Sequence, residues 1–260
     1  MDFKIDYACP QCHESISIAQ GYLENDETVT LICRNGHETK AFMVVPRFSL
    51  YFDKGVQALK HEYYLEGYSW IYTSLEVFRK DFVKAYMSVI NNIPIKIIDK
   101  TFDGRFKSSE NLYGAYAFAF LSYFGYCPDV KDAPFPIISD KEIKRRNSMY
   151  HSGKMPTKSE IMEDCYSIYL HMLYGYQNFL DDNTVDNPML AIMEYYGRRY
   201  SYWAGETAVS DEKIQERKIV MLNSDLGVFS SNSSFNIGKG QLDNYPAFDD
   251  LIKNAGPWIK

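Results

Sequence analysis

Residues 144–157 read KRRNSMYHSGKMPT, and they mark a helix end, a turn and a helix start. Ser139 with Glu142 three positions on forms a capping box, so a helix is expected from about Asp140 through Arg146 and Asn147. Gly153 should end it, leaving His151 in the last turn. Pro156 and a second capping box, Thr157 with Glu160, should open the next helix.

The neighbouring sequence places this helix pair in an α-helical region. From residue 52 to 90, Leu65, Tyr68, Tyr72, Leu75, Phe82, Tyr86 and Val89 fall at helical spacing, which predicts one long helix stopped by Pro94. Glu76 and Arg79 lie off that stripe, three residues apart, where they can point into a groove beside the 144–157 stretch. Residues 91–108 read as a loop, with Ser108 and Ser109 able to cap the next helix. Leu112–Tyr126 is apolar nearly all round, so a central, largely buried helix is expected. After the extended Pro128–Pro136 connection, the helix beyond Thr157 carries Ile161, Cys165, Tyr169, Met172, Leu173, Tyr176 and Leu180 at core spacing. A four-helix bundle accounts for about residues 50–182. His61 and His171 are read as structural, and Cys127 as packing.

Ahead of the bundle, residues 1–46 hold Cys9-Pro-Gln-Cys12 and Cys33-Arg-Asn-Gly-His37 between alternating segments. Two such knuckles can close a tetrahedral site with Cys9, Cys12, Cys33 and His37 as ligands, His13 being an alternative to His37. Four protein ligands leave no position for a reacting water, so this zinc ribbon is expected to be structural, and no catalytic metal is expected elsewhere. Residues 183–260 form a mixed extension: Asn187 and Pro188 start a helix to about Trp203, Ile219–Leu222 suits a strand, Ser230–Ser234 a polar loop, and Asp249–Asn254 a short helix. Gly238-Lys239-Gly240 lacks the strand and the Lys-Ser/Thr pair of a phosphate loop.

Composition narrows the class. A formal charge of -6 over 260 residues argues against a generally basic nucleic-acid coat, so any RNA contact has to be local. Lys144, Arg145 and Lys154 provide such a rim. No apolar run reaches the roughly 20 residues that span a bilayer, and MDFKIDYACP lacks a signal peptide's apolar core. Five cysteines, three in metal-like spacing, fit a reducing compartment, so a cytoplasmic protein without a membrane partner is expected. The 22 tyrosines are read as packing and interface residues.

The chemistry of the central stretch is that of phosphate and proton transfer. Arg146 offers a permanently charged planar fork that matches phosphate oxygens, and His151 can take or give a proton near neutral pH. Without a carboxylate cluster in the adjoining sequence, cleavage through an RNA 2'-hydroxyl is the natural route. Asn147 shares a face with His151, whereas Arg146 lies about 140° away on an ideal helix. The site should therefore need a distorted last turn or a second copy across a groove.

The string Arg146-Asn147-x3-His151, at a helix end before a Gly and Pro turn, resembles the R-x4-6-H motif of the HEPN superfamily, in which a polar residue often follows the arginine. The resemblance covers about residues 50–182. It implies a mainly α, HEPN-like helical bundle that dimerises and lines one groove with two copies of the motif. It also implies a metal-independent endoribonuclease of toxin or antiviral-defence type, with Arg146, His151 and Asn147 catalytic, RNA as substrate and a regulatory or antitoxin protein as partner. The family includes inactive members, so a dimeric adaptor that binds nucleic acid or protein through its ribbon stands beside the enzyme. A third reading makes Arg146 and His151 cap and packing residues only.

Overall fold

The computed structural model describes residues 2–7, 9, 11–12, 17–23, 28–43, 46–106, 108–131, 133, 135–181, 189–208, 220–222 and 248–254. The chain is mainly helical, with a small sheet built at its N-terminus. Strands β1 (Asp2–Tyr7), β2 (Ser17–Leu23), β3 (Thr28–Ile32) and β4 (Glu38–Met43) form an antiparallel meander. In β3 and β4, alternation puts Val29, Leu31 and Ala41 in the interior and leaves Glu38 and Lys40 outside. A later strand, Val220–Leu222, pairs parallel with β4 as the fifth of the sheet.

Helices α1 (Arg47–Lys60) and α2 (Tyr64–Ala85) are an antiparallel hairpin, where the sequence pattern predicts one continuous helix. The stripe carries no Gly or Pro at the break. The turn is made at Glu62, in the left-handed region at φ 65°, and Tyr63 N–H donates back to Ala58 O at 2.9 Å. Two glycines let the hairpin close. A Cβ on Gly55 would sit 3.0 Å from Gly67 O, and one on Gly67 would sit 2.6 Å from Leu59 Cδ2, so the backbones touch where a side chain would separate them. Helix α2 then runs into a π-helical turn, Tyr86–Ile90, closed by Asn91 N–H and the Asn91 side-chain amide, both donating to Tyr86 O.

Residues 95–105 are a helix, α3 (Ile95–Arg105), not the loop expected of residues 91–108. Ile95, Ile98 and Phe102 bury one face at i, i+3, i+7, a helical signal in a stretch where Pro94 just before it and Gly104 in its last turn suggest irregularity. Helix α4 (Ser109–Phe124) is capped by Ser108, whose hydroxyl accepts from Asn111 N–H, and ends at left-handed Gly125. It is less buried than its composition suggests. Tyr116, Ala119 and Phe120 enter the core, while Phe118 is 68% exposed and Leu121 41%.

Helices α5 (Asp140–Ser152) and α6 (Lys158–Asn178) begin at the two expected capping boxes, each with both reciprocal bonds formed. Past β5 (Leu180–Asp181) and β6 (Met189–Leu190), a two-stranded pair, come α7 (Ala191–Ala208), the strand Val220–Leu222 as β7, and α8 (Phe248–Asn254). The expected Asn187 cap and Ser230–Ser234 loop lie outside the described residues, as does Gly238–Gly240. The core is aromatic: Phe82 packs against Phe179 at 4.1 Å, Tyr116 at 5.3 Å and Phe120 at 5.5 Å between ring centres. Phe42 of β4 meets Tyr200 of α7, and Phe248 of α8 meets Tyr166 and Tyr169 of α6, so sheet and last helix both join it. Among the described residues no helix is long and apolar enough to cross a membrane.

Candidate functional site

The four ribbon ligands come together. Sγ of Cys9, Cys12 and Cys33 and a ring nitrogen of His37 all lie within 4.8 Å of one another. Cys12 Sγ is 3.7 Å from Cys33 Sγ and 3.2 Å from His37 Nδ1, which in turn is 3.6 Å from Cys33 Sγ and 3.8 Å from Cys9 Sγ. The edge of a tetrahedron of thiolates around an ion with ~2.3 Å bonds is about 3.8 Å, so the cluster can hold a metal ion of that size. Local turns shape both knuckles. Cys12 N–H donates to Cys9 O, and Gly36 at φ 80° lets Gly36 N–H reach Cys33 O and Cys33 N–H reach His37 O. Asn35 Nδ2 donates to Cys12 Sγ at 3.3 Å, a polar bond that orients a ligand from outside the cluster. His13, the alternative ligand, lies outside the described residues.

The second assembly is built around α5. Arg145 faces α6 and meets three of its carboxylates. Its Nε donates to Asp164 Oδ2 at 3.0 Å, its Nη2 donates to Asp164 Oδ1, and Glu160 and Glu163 stand at 3.5 and 3.4 Å. The Asp164 side chain is fully buried and also accepts from the Tyr68 hydroxyl at 2.7 Å. Burial pushes the Asp164 carboxyl up while Arg145 and Tyr68 pull it down, and the same bonds hold Arg145 firmly protonated. The sequence pattern suggests a solvent-facing rim for Arg145. It is instead the internal tie between α5, α6 and α2.

Arg146, one residue on, points the other way. Its Nη2 donates to Glu76 Oε1 of α2 at 3.3 Å, its Nη1 donates to Asn147 Oδ1 at 3.1 Å, and its guanidinium lies 4.9 Å over the Tyr150 ring. Glu76 also accepts from Ser109 Oγ of α4 at 3.2 Å. The expected approach of Glu76 to this stretch is therefore present, and Arg146 is the residue it meets. The Tyr150 hydroxyl donates to Ser69 Oγ at 2.9 Å, fixing the same face of α5 to α2.

Asn147 and His151 are exposed, and His151 has no hydrogen-bond or ion-pair partner among the described residues. The helix stays regular through Ser152 and ends at Gly153, φ 65°, with Lys154 N–H returning to Ser148 O at 3.3 Å. The last turn is not distorted, so one copy of the chain does not bring Arg146 and His151 onto one face. On the side of α5 toward the α5–α6 turn, a cleft of about 560 Å³ has Lys141, Lys144, Ser148, Lys154 and Met155 among its lining residues. Arg146, Asn147 and His151 do not line it. All three residues of the expected rim, Lys144, Arg145 and Lys154, do.

His171 is the buried counterpart. Its Nδ1 lies 2.8 Å from Pro136 O, an atom that only accepts, so Nδ1 carries the proton and Nε2 accepts from the Tyr116 hydroxyl at 2.8 Å. Burial drives its pKa down to about 4. It is a satisfied neutral core residue, in keeping with the structural role expected from the sequence.

No family model matches the chain, and no curated protein or solved structure matches it either.

Proposed function

We propose that the chain is an endoribonuclease of HEPN type that cuts RNA through its own 2'-hydroxyl, with Arg146 and His151 catalytic and Asn147 assisting. The observation that carries this reading is the state of His151: solvent-facing, unpartnered, on the face it shares with Asn147, at the capped end of a helix whose Arg146 sits on a shoulder toward α2. A proton shuttle needs a free imidazole that substrate can reach, and a phosphate clamp needs a planar cation held in place.

In this reading the 2'-hydroxyl loses its proton to an imidazole as its oxygen attacks phosphorus. The 5'-oxygen leaves with a proton, and the products are a 2',3'-cyclic phosphate and a 5'-hydroxyl. Arg146 stabilises the charge on the phosphoryl oxygens. Because Arg146 and His151 diverge on a regular helix, a homodimer that lays two α5 ends along one groove completes the site and supplies separate imidazoles as base and acid. The Cys9, Cys12, Cys33, His37 cluster is a structural zinc site in this account, since all four positions are protein ligands. A toxin or antiviral role, with a regulatory or antitoxin protein restraining the enzyme, is what the family resemblance implies.

One observation favours the second reading, an inactive dimeric adaptor. Arg146 is already engaged by Glu76, so a phosphate reaches it only by displacing that carboxylate. Labelled RNA incubated without added metal separates the two. The enzyme reading expects cleavage with cyclic-phosphate or 3'-phosphate ends. Products with 3'-hydroxyl ends contradict the mechanism, and binding without cleavage favours the adaptor.

A further inference from the structure

Arg79, one turn beyond Glu76 on α2, is an anomaly. Its guanidinium lies 4.8 Å over the Tyr113 ring and 5.7 Å from the Tyr116 ring centre, both on α4. Its Nε is buried without a hydrogen bond, and among the described residues none of its nitrogens has a hydrogen-bond or ion-pair partner. Burial pulls its pKa down, against the opposing effects of Tyr116, Tyr113, Glu76 and Tyr72, of which Glu76 is the one carboxylate. A guanidinium brings five donors: here the buried Nε goes unmet, which is costly, and the terminal nitrogens of this half-buried side chain have no protein acceptor among the described residues and can take an anion. Neighbouring Arg146 also has a buried Nε without a hydrogen bond, but its charge is taken up by Glu76. Glu76 is itself partly exposed, accepts from both Arg146 and Ser109, and divides its field between two arginines. The shoulder between α2, α4 and α5 thus brings the Arg79 and Arg146 guanidinium groups to the Glu76 carboxylate.

We propose that Arg79 is a second phosphate-binding group of the same site, and that Glu76 is a resident anion which an RNA phosphate displaces from Arg146. This deepens the ribonuclease reading and rests on it for the identity of the anion. The rings of Tyr113 and Tyr116 steady the Arg79 guanidinium, whose planar fork suits two oxygens of one phosphodiester rather than a point contact. On displacement, the unmet donors of Arg79 gain an acceptor and Arg146 exchanges a carboxylate for a phosphate. Glu76 then sets a threshold. Weak anions lose to it, and a polyanionic strand that engages both arginines does not.

The test is binding of a fluorescent 2'-deoxy oligonucleotide, which cannot be cleaved by the proposed route, to the full zinc-loaded chain. Arg79→Gln should weaken binding by about 10- to 100-fold, the loss of charge-assisted bonds to phosphate, and Arg79→Lys should recover part of it. The salt dependence of binding should fall by about one phosphate contact. Glu76→Gln should tighten binding, a sign that a merely structural carboxylate would not give, and this variant decides the matter if Arg79→Gln fails to fold. Unchanged affinity in Arg79→Gln, weaker or unchanged affinity in Glu76→Gln, or no binding by the wild type overturns the inference. Wild-type binding that obeys these signs without cleavage of the matching RNA overturns the ribonuclease reading and leaves the anion site standing.

Discussion

Arg145 and Arg146 are adjacent in sequence and opposite in circumstance. Arg145 meets three carboxylates, one of them fully buried, and its charge is committed to the fold. Arg146 has one ion pair to a partly exposed Glu76 and lies beside exposed Asn147 and, on the next turn, exposed His151. The difference separates scaffold from working surface. A charge whose partners are buried is part of the fold, and removing it strands another charge. A charge whose partner is accessible can change partners.

The largest stability effect expected is at Arg145. Arg145→Ala leaves Asp164 buried without its cation and should cost about 3–5 kcal/mol, read from denaturant unfolding. Arg145→Lys should recover little, because a point charge cannot make the two-pronged contact with Asp164. A cost under about 1 kcal/mol would erase the contrast.

Next come the buried and exposed histidines, His171 and His151, which repeat the contrast. His171 is neutral and satisfied, with a folded pKa near 4 against an ordinary 6.5. Between those values the unfolded chain binds a proton that the folded chain does not, so His171 makes stability fall as pH drops from about 6.5 to about 4, by up to roughly 3 kcal/mol. Asp53, whose carboxyl burial pushes up to about 7, titrates in the opposite sense: it is neutral and untroubled at pH 4, and its burial costs stability as pH rises toward 7. The measurement is therefore the difference between wild type and His171→Gln, whose unfolding midpoints should converge toward pH 4 relative to pH 7. A constant difference would show that His171 does not titrate with folding.

The smallest stability effects belong to the working face. Arg146→Ala removes a partly exposed ion pair and should change stability by less than about 1 kcal/mol.

Legibility in the sequence tracks the range of the interactions. Capping boxes, the left-handed Gly153 end and the Cys/His knuckles are written within a few residues, and each is present where the local pattern places it. The α1–α2 hairpin is not local in that sense: Glu62 carries the left-handed turn without a glycine, and the contact that justifies it joins Gly55 to Gly67. The composition of α4 indicates apolarity but not which face meets α2, so the exposure of Phe118 is not legible. Arg145 escapes a local reading for the same reason. Its meaning lies in Asp164, 19 residues on, and in Tyr68 of another helix. The helix α3 does have a readable signal in Ile95, Ile98 and Phe102, obscured by the proline and glycine around it.

The most direct test of His151 as the proton-transfer group is the rate of RNA cleavage by His151→Ala beside its thermal unfolding. The expected result is a rate lower by about 10²- to 10⁴-fold, with an unfolding midpoint and oligomeric state unchanged from wild type. Cleavage at the wild-type rate by the folded variant would contradict that role.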